Sequence, residues 1–421
     1  MPDRTIELIY DPFTLPTAQH RAGLAGLLVL VESLRRRKIK PIPEINTNQD
    51  QTISVRITED SLTVLFNDLY DATIKEIERR QKRHKGKGDK KREVPPLREV
   101  KKFDLKTGKE KVVYIYPKTV PKGKFLTTFD LPKIWLELWQ DAVWGTLRGG
   151  SPQTRRPFEQ RAQQLTPSET KKTWNMLQKF QDARGGNQFH SAPIVSSIFV
   201  GAQDKNAECV PFMGRADEVF LLQFWPVVMG VYVPEVIDRE GETDFAGYVL
   251  AVPDVSDIQG FAQDFPETIT NLGNDEWKYR PKDAVISVPQ EGGLEYLYHL
   301  MRLAKGKADI GSYNVAGVEV YHLKPPDRQK GERLVRLVAT DKVVGTRGLL
   351  EQYEAIRDKY YSVLFRRQLI LNLIRGEPWY REFDRVFAKG SKGGFIGAKA
   401  HRFSSDVRRR FEVESQARRF A

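Results

Sequence analysis

The first long apolar stretch of the chain runs from Ala22 to Val31, and charged residues close it on the C-terminal side. At ten residues it has about half of the ~20 that a bilayer span requires. We therefore predict a core helix that starts between Thr14 and Thr17 and that is too apolar to leave any face in water.

Shorter patterns after this helix predict strands and helices in mixed order. Alternation in QTISVRITEDSLTVLF predicts strands in which Ile53, Val55 and Ile57 share one face. The next segment, ATIKEIERRQ, is predicted as a helix that continues into a basic run, and KVVYIYPK is predicted as a strand. The N-terminal section is therefore expected to be a mixed α/β region.

Two further helices are predicted, and a pair of glycines ends each of them. The second, PSETKKTWNMLQKFQDA, opens at Ser168 or Thr166. Glycine favours the conformation that ends a helix, so a short loop should follow in both places. In the first, KIWLELWQDAVWGTLRGG, the apolar residues recur at helical spacing and are expected in the core, namely Trp135, Leu138, Trp139, Ala142 and Val143.

Beyond residue 196 the pattern changes first to strands and then to helix. The expected strands are SIFVGAQ, DEVFLLQFWPVVMGVYVP, GYVLAVPDV, DAVISVP, VAGVEVYHLKP and ERLVRLVATDKV. Arg367, beside Arg366, interrupts a later helical seam, so it either snorkels to solvent or faces a phosphate. The predicted seam consists of Leu349, Tyr353, Ile356, Tyr360, Val363, Arg367, Ile370 and Ile374.

These elements predict an α+β fold with three regions. We expect an N-terminal α/β region over residues 1–195, with a basic insertion near 79–92. A central β-rich region over residues 196–345 and a C-terminal helical region over residues 346–421 should follow. The N-terminal and central regions are thus mixed α/β, and the C-terminal region is helical.

The charge of the chain indicates a polyanionic partner. Its 421 residues include 68 Lys and Arg against 55 Asp and Glu, a formal charge of +13. Nucleic acid is the usual partner of such a protein, although charge that only aids solubility is the alternative. The single cysteine, Cys209, excludes an internal disulfide and fits a reducing cytoplasm. With no secretory signal and no spanning segment in the sequence, the protein is expected in the cytoplasm, without a membrane partner. Its apolar neighbours predict an inert, buried thiol.

Positive charge is densest between residues 79 and 92, where nine cations are opposed only by Asp89. Such a run cannot collapse on itself, so we predict a flexible arm that becomes ordered on an anion. A solvated insertion without a role is the alternative. The cations of this run that we expect to contact nucleic acid include Arg79, Arg80, Lys82, Arg83 and Lys85.

Three other groups of residues are candidates for nucleic-acid contact: the cations that end the core helix, the two Gly-Gly loops and the pair Arg366 and Arg367. The helix-end cations suit the negative end of the helix dipole. In the loops, amides can pair with base edges and arginines suit phosphate or guanine, whereas helix capping with solvated loops is the alternative. The helix-end cations are Arg35, Arg36, Arg37 and Lys38. The loop candidates are Arg148, Gly149, Gly150, Gln153, Arg155 and Arg156 in the first loop and Arg184, Gly185, Gly186, Asn187 and Gln188 in the second.

Catalytic motifs are not visible in the sequence. It contains no P-loop, no H-E-x-x-H and no paired metal-ligand spacing among its six histidines. His20, at the start of the core helix, is interpreted as structural because no nucleophile or orienting group lies near it in sequence. A binding protein without a cofactor is therefore favoured. A nuclease with a site assembled from distant carboxylates and a scaffold that binds only proteins are the alternatives.

Several long segments resemble one protein family. Together they resemble the Cas-eight family, the large subunit of the type I CRISPR Cascade complex, in its Myxan-type, type I-B subgroup. The resemblance spans most of the chain, and no single segment carries a catalytic motif. The segments are YDPFTLPTAQHRAGLAGLL, TLRGGSPQTRRPFEQR, FLLQFWPVV, GYVLAVPDVSDIQGFAQDFP and PQEGGLEYLYHL.

This resemblance implies a non-enzymatic subunit of an RNA-guided surveillance complex. Such subunits sit at the end that holds the 5′ handle of the CRISPR RNA, recognise the protospacer-adjacent motif in double-stranded target DNA and support R-loop formation. The implied protein partners are the Cas-five, Cas-seven, Cas-six and small subunits, and a downstream helicase-nuclease or transposition proteins. In related systems the C-terminal helical part is also made separately as the small subunit.

Overall fold

The predicted core helix is present as α1 (Ala18–Arg36), and 14 of its 19 residues are buried. It packs against strand β13 (Tyr248–Val255), helix α8 (Ile258–Thr270) and a 3₁₀ turn at Trp225–Val227. An N-terminal helix therefore lies against elements that follow it by about 200 residues or more, which places it at the centre of the core.

The computed structural model describes residues 4–85, 92–104, 108–183, 190–201, 207–237, 243–304, 314–325, 335–389 and 398–420. The N-terminal sheet is antiparallel, in the order β1 (Ile6–Tyr10), β3 (Ile53–Ile57), β2 (Glu44–Thr47). The second half of QTISVRITEDSLTVLF is not a strand but helix α2 (Glu59–Leu69). Thr58 and Ser61 cap it reciprocally, since each hydroxyl accepts the backbone N–H of the other residue.

The helix predicted for ATIKEIERRQ is wrong, because this segment forms strand β4 (Ala72–Arg79). The 13-residue strand β8 (Lys109–Pro121) pairs antiparallel with β4 on one side and with β7 (Arg98–Asp104) on the other. Backbone pairing along β8 outweighs the helical propensity of the Lys and Glu residues. We call residues 72–121 the basic ribbon.

The basic run in this ribbon also has more structure than the flexible arm that was expected. Two short strands, β5 (Arg83–Lys85) and β6 (Arg92–Val94), pair antiparallel within it. Residues 86–91 lie outside the described residues.

Both predicted Gly-Gly helices form, and the expected Trp-rich stripe is buried. A π-helical turn, Val143–Leu147, extends the first of them. The helices of this part are α3 (Lys124–Thr127), α4 (Lys133–Ala142), α5 (Pro152–Ala162) and α6 (Ser168–Ala183).

The central region contains a mainly antiparallel sheet, in which β16 (Val285–Ile286) is parallel to β11. The order of its other strands is β12 (Thr243–Phe245), β11 (Gly230–Ile237), β13, β17 (Val315–Lys324) and β18 (Arg336–Val343). Several predicted strands are shorter: SIFVGAQ forms turns as far as Gly201, and DEVFLL is largely helix α7 (Ala216–Leu221), which packs on α1. The other strands of this region are β9 (Ser191–Pro193), β10 (Met213–Arg215), β14 (Glu276–Trp277) and β15 (Arg280–Pro281), and its last helix is α9 (Pro289–Ala304).

Cys209 is exposed, which corrects the expectation of a buried thiol. It has a φ of 64° and lies in a turn before β10, so its apolar neighbours do not enclose it.

The C-terminal region is helical, as predicted, but its seam is divided. The chain leaves helical geometry after α10 (Arg347–Ile356), and the Ser362 hydroxyl then accepts the Phe365 N–H to start α11 (Val363–Ile374). The helices are α10 (Arg347–Ile356), α11 (Val363–Ile374), α12 (Phe383–Lys389) and α13 (Ala398–Phe420).

Glycines on α1 make its close packing testable. A Cβ on Gly23 would lie 2.3 Å from the Leu221 carbonyl oxygen, which is backbone and cannot rotate away. We expect Gly23→Ala to lower the free energy of unfolding by roughly 1–3 kcal/mol through overpacking. Gly348→Ala is the matched control, because nothing lies within 4 Å of its Cβ position. Denaturant unfolding that shows equal effects for both substitutions would contradict this close approach.

Candidate nucleic-acid interface

The basic ribbon carries most of the net charge of the protein. Residues 72–121 contain 17 Lys and Arg against 7 Asp and Glu, an excess of ten positive charges in a chain whose total is +13. The excess charge is therefore concentrated in one segment of the sequence and is not spread evenly along the chain. A field concentrated in this way attracts polyanions and speeds their association.

Within the ribbon, the described glutamates are already engaged in ion pairs. Lys82 is one of the residues predicted to contact nucleic acid. Its Nζ lies 2.8 Å from Glu93 Oε1 and above the Tyr114 ring. The hydrogen bond to Glu93 raises the pKa of Lys82. Each of these glutamates therefore already offsets charge on a lysine or arginine of the ribbon. The pairs are Glu76–Arg98, Glu78–Lys102, Glu93–Lys82, Glu99–Lys82 and Glu110–Lys101.

A cavity of about 280 Å³ opens on the ribbon, and Arg79, Arg80, Lys102 and Lys111 contribute to its lining. Phe103 also lines it and is 63% exposed. Arg79 and Arg80 have no ion-pair partner among the described residues. Cations beside an exposed aromatic ring can neutralise phosphates and stack a base, which is how many proteins hold nucleic-acid strands.

Sequence reasoning found the first part of this surface and missed the rest. It singled out the run that begins at Arg79, and Arg83 and Lys85 of that run lie in β5. It did not include Lys102 or Lys111, which pairing of β7 with β8 brings opposite each other. A charge count over the whole segment 72–121 would have shown them.

The four cations at the end of α1 have separate roles. Arg37 donates to both carboxylate oxygens of Asp68, at 2.8 and 2.6 Å, and so ties α1 to α2. Arg35 and Arg36 both pair with Glu32 one turn earlier. Lys38 is exposed in a left-handed conformation. Arg35, Arg36 and Lys38 remain at the surface.

The first Gly-Gly loop is more tightly packed than expected. Arg148 is 3% exposed and donates to the Ser197 carbonyl oxygen at 2.7 Å, so it does not face solvent. A Cβ on Gly149 would lie 2.1 Å from the Trp144 carbonyl oxygen, so packing within the chain requires this glycine. Gly150 is not crowded in this way. The conformation of this loop reflects the start of α5, where the Ser151 hydroxyl caps the helix by accepting the Gln153 N–H.

The remaining loop candidates differ in position. Gln153 and Arg156 are exposed in the first turns of α5, whereas Arg155 pairs with Glu159. The second-loop candidates lie outside the described residues, namely Arg184, Gly185, Gly186, Asn187 and Gln188.

Arg366 and Arg367 have opposite environments. Arg366 pairs with Glu291 of α9, a carboxylate that is fully buried. Arg367 is exposed, so its guanidinium is at the surface, and its predicted contact with a phosphate stays a prediction. The adjacent arginines therefore divide between an internal ion pair and the surface.

Arg366 belongs to a buried polar cluster that joins α9 to the C-terminal helices. Arg357 donates to both Glu295 oxygens at 2.9 and 2.8 Å, and the Tyr353 hydroxyl lies 2.5 Å from Glu295 and 3.1 Å from Glu291. Burial raises the pKa of Tyr353. Sequence reasoning missed this cluster. The sequence signal for it was a pair of glutamates four residues apart, Glu291 and Glu295, on a helix that is otherwise mainly apolar.

Gln19 and His20 have structural roles at the start of α1. The Gln19 side chain donates to the Val200 carbonyl oxygen and accepts the Val200 N–H, at 2.8 and 3.0 Å. His20 Nδ1 lies 2.8 Å from the Thr17 hydroxyl. Burial and the neighbouring Arg21 lower the pKa of His20 to about 4, so it is neutral at pH 7. These contacts agree with the structural interpretation.

The described residues contain neither a candidate metal site nor a candidate membrane-spanning helix. No group of three or more His, Cys, Asp or Glu side chains that could hold a metal ion occurs in the described part of the chain. Across the same residues, no helix is both long and apolar enough to cross a membrane.

Comparison with protein families gives two matches. The type I-B CRISPR Cas8b N-terminal domain matches residues 42–309, which include α2, the ribbon and α9. The type I-B CRISPR Cas8b C-terminal domain matches residues 315–420, from β17 to α13. No significant match is found among curated protein sequences.

Proposed function

Because the chain belongs to the type I-B CRISPR Cas8b family, we propose that it acts as the non-catalytic large subunit of an RNA-guided DNA surveillance complex. In this role it binds the 5′ handle end of the CRISPR RNA beside the Cas-five subunit. It recognises the protospacer-adjacent motif in double-stranded DNA, supports R-loop formation and recruits the downstream effector.

The charge of the basic ribbon is the observation that supports this role best. Ten excess positive charges on one extended element, with its described glutamates already paired, provide a surface for a phosphate backbone. The ribbon lies within the matched N-terminal domain. We therefore assign duplex and strand contact to the ribbon.

The remaining surface candidates extend this assignment. Lys38, Gln153, Arg156 and Arg367 are exposed and have space for a strand or a partner subunit. Arg37, Arg148 and Arg366 are instead engaged in contacts within the chain. We propose that the exposed group contributes secondary contacts in the complex.

Co-purification tests the role. The tagged chain, expressed with the genes of its own operon and treated with nuclease before capture, should bring down a short RNA of uniform 5′ end together with repeated Cascade subunits. Recovery of the chain without RNA would contradict the role. Magnesium-dependent cleavage of DNA by the isolated chain, abolished by one carboxylate substitution, would favour a nuclease instead.

A further inference from the structure

A second open cavity, of about 240 Å³, lies between α5, α6 and α7 and is separate from the ribbon. Apolar side chains form part of its wall, among them Pro157, Met176 and Val219. Polar side chains from several elements also line it, and they are Arg148, Gln153, Glu169, Lys172 and Gln223. A largely apolar wall with a few convergent polar groups is typical of a small-ligand site.

Arg148 is the unusual member of this lining. Its guanidinium is buried and, among the described residues, donates to two backbone carbonyl oxygens, those of Ser197 at 2.7 Å and Gln223 at 3.5 Å. No carboxylate within the described residues pairs with it. Burial lowers its pKa, yet arginine stays charged at neutral pH. A buried cation that lacks an anion is costly, so it favours a ligand that brings negative charge.

The other polar groups limit the class of ligand. The Gln223 amide oxygen accepts the Tyr70 hydroxyl at 2.7 Å, which orients the amide. Gln153 is exposed at the rim of the cavity. Amides that can pair with a base edge, an apolar wall that can cover a flat ring and a cation that needs an anion together match the edge of a base, its face and the phosphate of a nucleotide.

We propose that this cavity binds one unpaired nucleotide of a bound strand, whose base packs on the apolar wall and whose phosphate charge is compensated by Arg148 and Lys172. The inference rests on the proposed function, since it takes the strand to be one that the complex holds. It adds a single-nucleotide pocket whose lining includes no residue of the ribbon. A free mononucleotide has the same chemistry, so the test separates the two sources.

Glu169 provides a test of opposite sign. It lines the same cavity, and its carboxylate lies 2.9 Å from the Lys172 ammonium. This carboxylate competes with an incoming phosphate for Lys172. Neutralising Glu169 should therefore strengthen nucleotide binding, and neutralising Lys172 should weaken it.

The experiment uses the full chain, freed of nucleic acid, with adenosine monophosphate, adenosine and inorganic phosphate as probes in calorimetric titrations. We expect the monophosphate to bind more tightly than either fragment. Lys172→Gln should weaken it about threefold and Glu169→Gln should strengthen it by a similar factor. Lys171→Gln is the matched control, because Lys171 is exposed beside Lys172 but does not line the cavity. Equal effects of all three substitutions would overturn the pocket.

A single-stranded oligonucleotide gives the second arm. It should compete with the monophosphate, and the Lys172 and Glu169 variants should shift its affinity in the same directions. If the variants shift only the monophosphate, the cavity takes a free nucleotide and the strand assignment is wrong. Failure of the proposed function looks different, because the assembled complex would then bind no target while the monophosphate titrations stayed unchanged.

Discussion

Glutamine substitution at Arg79, Arg80 and Lys111 is expected to weaken non-specific duplex binding and to reduce its dependence on salt. These cations line the ribbon cavity, in a segment whose described glutamates are already paired. The slope of log K against log salt should fall in magnitude by up to ~0.9 for each phosphate that the variant no longer neutralises. Stability should change by no more than about 0.5 kcal/mol, since the side chains are at the surface. Fluorescence anisotropy at several salt concentrations measures both affinity and slope.

A triple variant with the same charge change elsewhere is the control. Lys171, Lys179 and Lys359 are exposed cations outside the ribbon, and their replacement by glutamine should leave the slope close to wild type. If both triple variants reduce affinity equally, binding follows net charge and no particular surface. If the ribbon variant keeps the full slope, the ribbon is a solvated insertion.

The second large effect concerns the buried cluster between α9 and the C-terminal helices. Arg366→Met would leave the Glu291 carboxylate, which is fully buried, without its arginine. We expect the free energy of unfolding to fall by roughly 3–5 kcal/mol, because an uncompensated buried charge is costly. Chemical denaturation measures the loss, and limited proteolysis should show earlier cleavage in the C-terminal helices.

The neighbouring residue supplies the control for this substitution. Arg367→Met removes an exposed arginine from the same helix and should change stability by no more than about 0.5 kcal/mol. Adding Glu291→Gln to Arg366→Met should recover much of the lost stability, since the buried charge is then absent. A double variant as unstable as Arg366→Met alone would mean that packing, and not charge, joins the two parts.

Much of the fold was predictable where one physical signal dominates. The apolar run that became α1 and the Trp-rich stripe of α4 are long and strongly periodic, and both are buried as expected. The α+β class and the helical C-terminal region follow from the same periodicity. The region boundaries at residues 195 and 345 stay a prediction.

The errors arose where tertiary pairing decides the local structure. Residues 72–79 have the Lys and Glu content of a surface helix, yet they form a strand because β8, over 30 residues later, pairs with them. DEVFLL has the pattern of a buried strand, but its side chains pack as a helix on α1. A single sequence does not reveal such distant partners.

The sequence shows where positive charge clusters, but not which arginines are engaged in contacts within the fold. The basic run marks the start of the ribbon, because clustered charge is visible in the sequence. Arg37, Arg148 and Arg366 looked equivalent to their exposed neighbours, although each is bound to a group more than 30 residues away in the chain. The acceptors Asp68, the Ser197 carbonyl and Glu291 become adjacent only in the folded chain.

Mapping the contact between the assembled complex and its target DNA tests the central claim most directly. Photocrosslinking of the complex to target duplex, followed by peptide identification, should place the crosslinks of this chain mainly within residues 72–121. Backbone hydrogen exchange in β7 and β8 should slow when the duplex binds. Crosslinks confined to other regions, with exchange in the ribbon unchanged by DNA, would contradict the assignment of the ribbon as the nucleic-acid surface.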